Sequence, residues 1–257
     1  MKGREELLNM EVEKHIDYII DWLRDQVKIS KTKGLLVGIS GGIDSAVVAN
    51  LIHKAMPDRS LGAILPINNQ REDIEDGLLV ANTCGIKHFI LDLNKEHQSL
   101  HNKVMDKLQE INLLDHERER VMDANLRARL RMSTLYALGN NLNYLVVGTD
   151  NASELYTGYF TKYGDGGVDL LPLANLKKYQ VYEWARVLNI PKNIIDKRPS
   201  AGLWQGQTDE SELGITYKSI DSYLEGMAIN EYDKGIIERL HRTTEHKRNM
   251  PIMPDWK

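Results

Sequence analysis

The sequence predicts an α/β fold in which a parallel sheet carries helices on both faces. Short apolar runs typical of buried strands alternate with segments of helical period. The first of these runs, at 35–37, continues directly into a glycine turn and a helix start. From residue 176 onward the pattern is helical, which predicts a helical C-terminal segment.

The elements follow in order along the chain. Apolar residues on one face of the segment 12–27, with charges opposite, predict an amphipathic helix before the first strand. Strands are predicted at 35–37, 61–65, 87–92 and 142–148, and further helices at 46–52, 71–83, 94–141, 176–188, 217–226 and 232–245. We interpret the charged run at 115–120 as a solvated face or a turn.

The glycine turn, with the sequence GISGGIDS at 38–45, has the features of a phosphate-binding loop. Adjacent glycines let the backbone approach a ligand closely, and the free amides and dipole of the helix start favour negative charge. Ser40 and Ser45 add hydroxyl donors, whereas Asp44 would repel a bare phosphate and therefore predicts a divalent cation. The spacing matches neither a Walker A loop nor a dinucleotide fingerprint. The competing interpretation is a helix start capped by Ser or Asp.

The segment GTDNASE at 148–154 follows the fourth predicted strand. Ligands of open parallel sheets lie beyond the carboxyl ends of the strands, so this segment is expected to face the same crevice as the glycine turn. Thr149 is a candidate donor to a nucleotide, and Glu154 is a candidate partner of Asp44 at a magnesium ion. An N-cap with an acidic first turn explains the same residues equally well.

Two polar, glycine-containing loops at 158–169 and 198–210 are typical of binding loops. Between them, Lys177 and Lys178 lie in the first turn of a predicted helix. Cations there oppose the helix dipole unless an anion is nearby, which favours a phosphate contact for at least one of them.

A cluster of arginines lies in the long helical stretch. Arg127, Arg129 and Arg131 follow one another at alternate positions, and Asn125 shares a helix face with Arg129. They are explained either as ordinary surface cations or as partners of an anionic substrate, and the spacing does not decide between the two.

The composition limits the classes of function. A formal net charge of -4 over 257 residues and a pI near 6.1 give no global basic field, which argues against nucleic acid as a partner. Cys84 is the only cysteine, which excludes an intrachain disulfide and a CxxC zinc site. A signal-peptide pattern and an apolar run of membrane-spanning length are both absent, so we expect a cytoplasmic protein without a membrane partner.

Six segments form an ordered set: GISGGIDS at 38–45, NLRARLRM at 125–132, GTDNASE at 148–154, GYFTKYGDGGVDLLPL at 158–173, PSAGLWQGQTDESELG at 199–214 and TEHKR at 244–248. In this order they resemble the ammonia-dependent NAD synthetases, a family of N-type ATP pyrophosphatases. One such motif is weak evidence, but six make chance similarity implausible. The resemblance implies an adenine-nucleotide hydrolase-like fold, with a doubly wound parallel sheet of the five-stranded type.

The resemblance also implies roles for individual residues. The implied catalytic residues are Asp44, Asp165 and Lys178, of which Asp165 is matched to a residue near the ammonia. Contacts to ATP are implied for Gly38, Ile39, Ser40, Gly41, Gly42, Ile43, Asp44, Ser45, Thr149, Lys178 and Ser200. Contacts to deamido-NAD (nicotinic acid adenine dinucleotide) are implied for Arg129, Lys162, Asp169, His246 and Lys247, and contacts to Mg²⁺ for Asp44 and Glu154. Ser200 stands where many relatives carry threonine, and the hydroxyl is kept.

The reaction implied by the resemblance is the last step of NAD biosynthesis. The nicotinate carboxylate attacks the α-phosphorus of ATP to give an acyl-adenylate and pyrophosphate, and ammonia then displaces AMP. Mg²⁺ and Lys178 would neutralise the charge that develops on the leaving pyrophosphate, and Asp165 would orient ammonium and accept a proton. The resemblance further implies a homodimer with the substrate site at the subunit interface.

We expect residues 1–257 to form a single domain with no glutaminase domain, so that free ammonia is the nitrogen source. Two alternatives remain open. Another N-type ATP pyrophosphatase, such as a tRNA-modifying enzyme, is disfavoured by the single cysteine and the acidic balance. A non-catalytic nucleotide-binding regulator predicts loss of Asp44, Glu154 or Lys178, and all three are present.

Overall fold

A computed structural model describes residues 2–200 and 208–255 of the chain. The strands are β1 (Gly34–Gly38), β2 (Ser60–Ile64), β3 (Lys87–Ile90) and β4 (Tyr144–Val147). The helices that surround them are α1 (Lys2–Ser30), α2 (Ile43–Ala55), α3 (Arg71–Cys84), α4 (Asn94–Glu110), α5 (Glu119–Leu142), α6 (Ala152–Thr157) and α7 (Lys178–Val187). The C-terminal part contributes α8 (Lys192–Asp196), α9 (Asp209–Leu213), α10 (Tyr217–Leu224), α11 (Glu231–Thr243) and α12 (Glu245–Arg248).

The four strands form one parallel sheet in the order β3, β2, β1, β4. The chain therefore runs outward from β1 to β2 and β3, and then returns to pair β4 with the opposite edge of β1. The carboxyl ends of β1 and β4 are adjacent, since Val37 pairs with Val147. In an open parallel sheet the crevice beyond such a switch point is where ligands bind.

Alternating side chains of the strands feed two separate cores, one on each face of the sheet. Leu35 and Val37 belong to a core shared with α1, α2 and α7, whereas Leu36 packs into a second core with α5 on the other face. Strands buried on both faces read as continuous apolar runs, which is why β1 and β4 could be located from sequence. The predicted doubly wound α/β class with helices on both faces is confirmed.

The predicted element positions are confirmed with small shifts, and two details differ. The resemblance implied a sheet of the five-stranded type, whereas the sheet has four strands in the described residues. An isolated parallel bridge between Val147 and Leu170 lies beside β4, at the edge where a fifth strand would pair. The stretch predicted as helical at 94–141 is two helices, α4 and α5, because the charged run contains a short 3₁₀ turn at His116–Arg118. Within the part of the chain that the structure describes, no helix combines the length and apolar character needed to cross a membrane.

Truncation of a core residue of α1 tests how much this helix contributes to the fold. Leu23 is fully buried, so Leu23→Ala is expected to lower the free energy of unfolding by about 2–5 kcal/mol, through lost burial and the cavity left behind. Tyr18 on the same helix is 68% exposed, and Tyr18→Ala is expected to change stability by about 0.5 kcal/mol or less. Urea unfolding of both variants measures the difference, and equal effects would contradict the packing of α1 on the sheet.

Candidate active site at the switch point of the sheet

A cavity of about 1180 Å³ lies beyond the carboxyl ends of β1 and β4. Its walls come from the glycine turn, the segment after β4, the loop at 158–169 and the start of α7. Among the predicted residues it is lined by Gly38, Ile39, Ser40, Gly42, Ile43, Asp44, Ser45, Glu154, Asp165, Lys178, Ser200 and Lys247. The sheet topology thus gathers residues from distant parts of the sequence around one volume.

The glycine turn needs its glycine at position 41 for two reasons. Gly41 has φ of +83°, and a Cβ there would lie 2.8 Å from Asp76 Cβ and 2.9 Å from the Asp73 carbonyl oxygen. The two serines order the turn: Gly42 N donates to Ser40 Oγ (3.2 Å), and Ser45 Oγ donates to the Gly42 carbonyl oxygen (2.9 Å). The N-cap of α2 is Gly42, and no side chain of the described residues caps this helix, so the capping interpretation of the turn is wrong.

Lys178 links the two carboxylates that the sequence paired at a metal. Its Nζ lies 2.6 Å from Asp44 Oδ2 and 3.0 Å from Glu154 Oε1. The lysine is buried, and Tyr217 adds a hydroxyl that donates to Glu154 Oε1 at 3.1 Å. Asn151 completes the cluster, because its Nδ2 donates to Asp44 Oδ1 at 2.9 Å. Asp44 on α2 and Glu154 on α6 therefore both contact the ammonium group of Lys178 on α7.

Burial and the mutual attraction of the charges both shift the pKa values of the groups in this cluster. Loss of hydration raises the pKa of Glu154 to about 7, although the charge of Lys178 acts in the opposite direction. One lysine shared between two carboxylates does not neutralise both, so desolvation prevails at Glu154. The same two carboxylates outweigh the cost of burying Lys178 and raise the pKa of its amine, which keeps the lysine charged.

Asp221 on α10 places a negative charge at the start of α7. The two lysines in the first turn of the predicted helix had indicated that an anion is needed there. Its Oδ1 accepts from Lys178 N (3.2 Å) and from Ser153 Oγ (2.5 Å), and its Oδ2 accepts from Tyr179 N (3.0 Å). The carboxylate is buried at the positive end of α7 and also bonds α6. The position of Lys177 and Lys178 in the first turn of α7 therefore does not require a phosphate, since Asp221 already supplies a negative charge at this helix start.

The segment 151–154 caps a helix and also contributes a side chain to the cavity. Asn151 caps α6, and Glu154 Oε2 accepts from Asn151 N at 3.1 Å, which is the predicted cap with an acidic first turn. The other oxygen of Glu154 bonds Lys178 in the cavity. A single carboxylate is thus fixed by its helix and presented to the site.

The loop at 158–169 is held by a hydrogen bond within the loop and by contacts from the C-terminal segment. Asp165 lines the cavity, and its Oδ1 accepts from Thr161 N at 2.9 Å. Desolvation by the surrounding protein raises the pKa of the Asp165 carboxyl. Lys247 Nζ donates to the carbonyl oxygens of Gly158 (2.8 Å) and Phe160 (2.7 Å), which ties the C-terminal segment to the loop.

Six predicted residues do not line the cavity: Gly41, described above, and Thr149, Arg129, Lys162, Asp169 and His246. Thr149 is half-buried behind it, whereas its neighbour Asp150 does line it. Arg129 Nε donates to the Lys162 carbonyl oxygen (3.3 Å), and Lys162 Nζ donates to the His246 carbonyl oxygen. The remaining residue, Asp169, accepts from Tyr136 Oη (2.9 Å) and Val146 N (2.8 Å). The predicted loop at 198–210 lies partly outside the described residues.

Sequence reasoning missed three buried residues of the cluster: Asp150, Tyr217 and Asp221. Asp150 lies inside the motif at 148–154 and could have been singled out as a third acidic residue beyond β4. Tyr217 and Asp221 are ordinary members of an amphipathic helix, α10, and give no local signal. Only the packing of α10 against α6 and α7 brings them to the site.

The fold and the cavity define the class of protein: a doubly wound α/β protein in which a glycine turn at the switch point of the sheet faces a cluster of two carboxylates and a lysine. A family model described as NAD synthase matches residues 15–251. The chain is 62% identical over 247 residues to an NH(3)-dependent NAD(+) synthetase from Alkaliphilus oremlandii, covering 96% of this chain and 99% of the relative. The chain belongs to the NAD synthase family.

Solved structures agree with this assignment. An NMN synthetase from Francisella tularensis superposes with a TM-score of 0.87 at 40% identity, covering 95% of this chain and 99% of that chain. An NH3-dependent NAD synthetase from Campylobacter jejuni superposes with a TM-score of 0.76 at 27% identity, with coverage of 95% and 99%. The six-motif resemblance is confirmed at the level of the family.

The raised pKa of Glu154 predicts a pH dependence of stability for the ligand-free protein. Between pH 4.5, the ordinary value, and about 7, folded Glu154 keeps a proton that the unfolded chain has released. This group therefore makes the free energy of unfolding fall as pH rises through that window. Glu154→Gln is expected to make the decline shallower in urea titrations across the window. Glu75→Gln at an exposed glutamate is the control, and an unchanged slope in Glu154→Gln would contradict the prediction.

Proposed function

We propose that this protein catalyses the ATP-dependent amidation of deamido-NAD by ammonia, giving NAD, AMP and pyrophosphate. The observation that carries the proposal is the junction of Lys178 with Asp44 and Glu154, next to an uncapped helix start at the switch point of the sheet. The curated relative from Alkaliphilus oremlandii is named for this activity, and this chain covers 99% of its length. Since ATP is a cytoplasmic metabolite, we place the reaction in the cytoplasm.

We propose Asp44 and Glu154 as ligands of Mg²⁺. The donor set fits, because both carboxylates already converge on one cation, the ammonium group of Lys178, and carboxylate oxygens suit this hard metal. Two protein ligands are also what a magnesium site completed by substrate phosphates requires. When bound with ATP, the ion neutralises phosphate charge and polarises the phosphoryl oxygens.

The glycine turn would hold the triphosphate of ATP. The residues at the start of α2 line the cavity, no side chain of the described residues caps this helix, and the helix dipole would attract the phosphates. Lys178 would move from its carboxylate partners towards the α- and β-phosphates and stabilise the charge that develops as pyrophosphate leaves. The nicotinate carboxylate attacks the α-phosphorus, a carboxylate–phosphorus bond forms, and the bond to pyrophosphate breaks.

Asp165 would act in the second half of the reaction. It lines the same cavity, and one of its oxygens is fixed by the Thr161 amide. A carboxylate at this position suits a group that accepts a proton from the attacking nitrogen. The loop that carries Asp165 also covers the cavity, and exclusion of water protects the acyl-adenylate from hydrolysis.

The rest of deamido-NAD would extend over the outer side of the loop. Arg129, Lys162 and His246 lie in one chain of contacts outside the cavity, so a bound dinucleotide could meet all three. Lys247 reaches into the cavity between this chain of contacts and Asp165. Asp169 is exposed, and each of its two oxygens accepts one hydrogen bond from the protein, which leaves further acceptor sites for the substrate.

A mononucleotide is the second candidate substrate. The solved NMN synthetase superposes closely with this chain, and formation of NMN by the same chemistry would start from the nicotinate mononucleotide. The dinucleotide is favoured because the more identical relative carries the NAD synthetase name. The two substrates differ by an adenylate group, so their ratio of kcat/KM decides between them.

We also propose that residues 1–257 form one domain that uses free ammonia. The ammonia-dependent relative is covered over 99% of its length by this chain, which supports free ammonia as the nitrogen source. Cys84 does not suit an amidase nucleophile, because burial raises the pKa of its thiol to about 11.

We propose a homodimer that forms through the face around β3, α4 and the start of α5. Large apolar side chains are exposed there, including Ile111 (50% exposed), Leu113 (69%) and Val121 (62%). Val121 also lines the cavity, so a partner on this face would border the site. An interface next to the cavity agrees with a substrate site shared between subunits.

A product assay with variants tests the proposed function. With ATP, magnesium and ammonium, incubation with deamido-NAD is expected to give NAD, AMP and pyrophosphate. Incubation with the nicotinate mononucleotide instead is expected to give little NMN. Asp44→Asn and Lys178→Ala are expected to lower turnover by about a hundredfold or more, since each removes charge stabilisation from the first step. Thermal unfolding checks that both variants fold. Formation of ADP, or unchanged turnover in either variant, would contradict the proposal.

Sedimentation equilibrium tests the proposed dimer. The wild-type protein is expected at twice the chain mass of 29.4 kDa, and a Leu113→Glu, Val121→Glu double variant at the monomer mass. Tyr232→Glu, at a side chain 77% exposed on α11, is the matched control and is expected to stay dimeric. A monomeric wild-type protein would refute the interface.

A further inference from the structure

The glycine turn packs on the start of α3, and two carboxylates of that helix lie directly behind it. A Cβ at Gly41 would be 2.8 Å from Asp76 Cβ and 2.9 Å from the Asp73 carbonyl oxygen, so the turn and the helix are in direct contact there. Asp73 also lines the main cavity. Asp73 and Asp76, the acidic wall, therefore place negative charge beside the turn that we propose to hold the triphosphate of ATP.

The outer side of this helix start is more acidic still. A second cavity, of about 510 Å³, lies between the start of α3 and α8. Among the described residues its lining holds one cation, Lys197. The carboxylates of this lining are those of Glu72, Asp73, Glu75, Asp76 and Asp196. A polyanion that approaches the turn from the main cavity would be repelled by these charges unless a cation offsets them.

Lys197 contacts both carboxylates of the acidic wall. Its Nζ lies 2.9 Å from Asp73 Oδ1 and 2.6 Å from Asp76 Oδ2. Burial favours the neutral amine, but the hydrogen bonds to Asp76 and Asp73 prevail and raise the pKa of Lys197, so the lysine stays charged. Arg131 also attracts Asp73, but its hydrogen bonds go to uncharged groups. Lys197 therefore offsets the charge of the acidic wall.

Two effects of this pairing have to be separated. Lys197 begins the segment 197–200, which lines the main cavity and ends at Ser200, a proposed contact of ATP. The ion pair thus holds this segment on α3 and also removes negative charge from beside the glycine turn. Neutral substitutions at Asp73 and Asp76 distinguish the two effects, because they remove the charge without restoring the ion pair.

We propose that Lys197 is a positioning residue for ATP, which acts through Asp73 and Asp76 by neutralising the acidic wall so that the triphosphate binds at the glycine turn. This inference rests on the proposed function, because it takes the turn as the site of the phosphates. Lys197 does not have to touch the nucleotide. Its loss is therefore expected to weaken the binding of ATP and to leave turnover unchanged once ATP is saturating.

Steady-state kinetics of charge variants tests the inference. In Lys197→Met, the KM for ATP is expected to rise about fivefold or more while kcat stays within about twofold of wild type, since the loss is in binding. Addition of Asp73→Asn and Asp76→Asn to this variant is expected to return the KM for ATP to within about twofold of wild type, because the repelling charges are gone. A purely structural ion pair predicts no such rescue, since the triple variant lacks the pair as well.

Binding without turnover gives a second measurement. The analogue α,β-methylene-ATP carries a triphosphate charge but cannot be split between its α- and β-phosphates, so calorimetry with magnesium and this analogue reports binding alone. The Kd of Lys197→Met is expected to exceed that of wild type by about fivefold at about 0.05 M sodium chloride and by less at about 0.5 M, since salt screens the repulsion. A ratio that does not change with salt would overturn the electrostatic role.

Control variants separate this effect from general damage to α3. Arg71→Met removes an exposed cation of the same helix, which pairs with Glu75 at 2.7 Å, and is expected to leave the KM for ATP unchanged. Asp73→Asn with Asp76→Asn in the wild-type background keeps Lys197 as an unpaired cation and is expected to lower the KM for ATP. Thermal unfolding checks that each variant folds.

The outcomes also separate this inference from the proposed function. An unchanged KM for ATP in Lys197→Met, no rescue in the triple variant, or a raised KM in the double aspartate variant would overturn the role of Lys197 and leave the proposed function intact. Failure of the wild-type protein to form NAD, AMP and pyrophosphate would instead overturn the proposed function.

Discussion

The structure of the site depends on the pairing of one buried lysine with two carboxylates. Lys178 without Asp44 and Glu154 would be a buried unpaired cation, and each carboxylate without the lysine would be a buried unpaired anion. The two carboxylates keep Lys178 charged, whereas burial raises the pKa of Glu154. A hydrophobic replacement would be easier to bury, so the proposed binding of a polyanion and a cation would explain why opposite charges are placed here.

The sheet topology is what allows this pairing. Asp44 follows β1, Glu154 follows β4, and β1 and β4 are neighbours although more than a hundred residues separate them along the chain. The switch in strand order opens a crevice at that edge, so the two carboxylates approach it from its two sides. Lys178 arrives from α7, which packs on α2 in the same core. Function therefore depends on the core that positions these helices.

Residues outside the chemistry hold the cluster in place. Asp221 bonds the amides at the start of α7 and the hydroxyl of Ser153 on α6, so one carboxylate joins the two helices that carry Lys178 and Glu154. Tyr217 from the same helix donates to Glu154 and to Asp209. The C-terminal helical part is thus a support for the active site, and Lys247 extends that support to the loop of Asp165.

The sequence by itself determined the fold class, the order of elements and the glycine turn that lines the cavity, because buried strands, amphipathic helices and glycine turns leave local patterns. It also paired Asp44 with Glu154, since the carboxyl ends of parallel strands meet at one edge. Tertiary structure alone decided that Asp221 places a negative charge at the start of α7 and that Tyr217 donates a hydrogen bond to Glu154. It also decided that Asp150 Oδ2 is buried without a hydrogen-bond partner among the described residues. Those facts depend on which side chains of distant helices meet in space, and residue spacing along one element carries no information about such contacts.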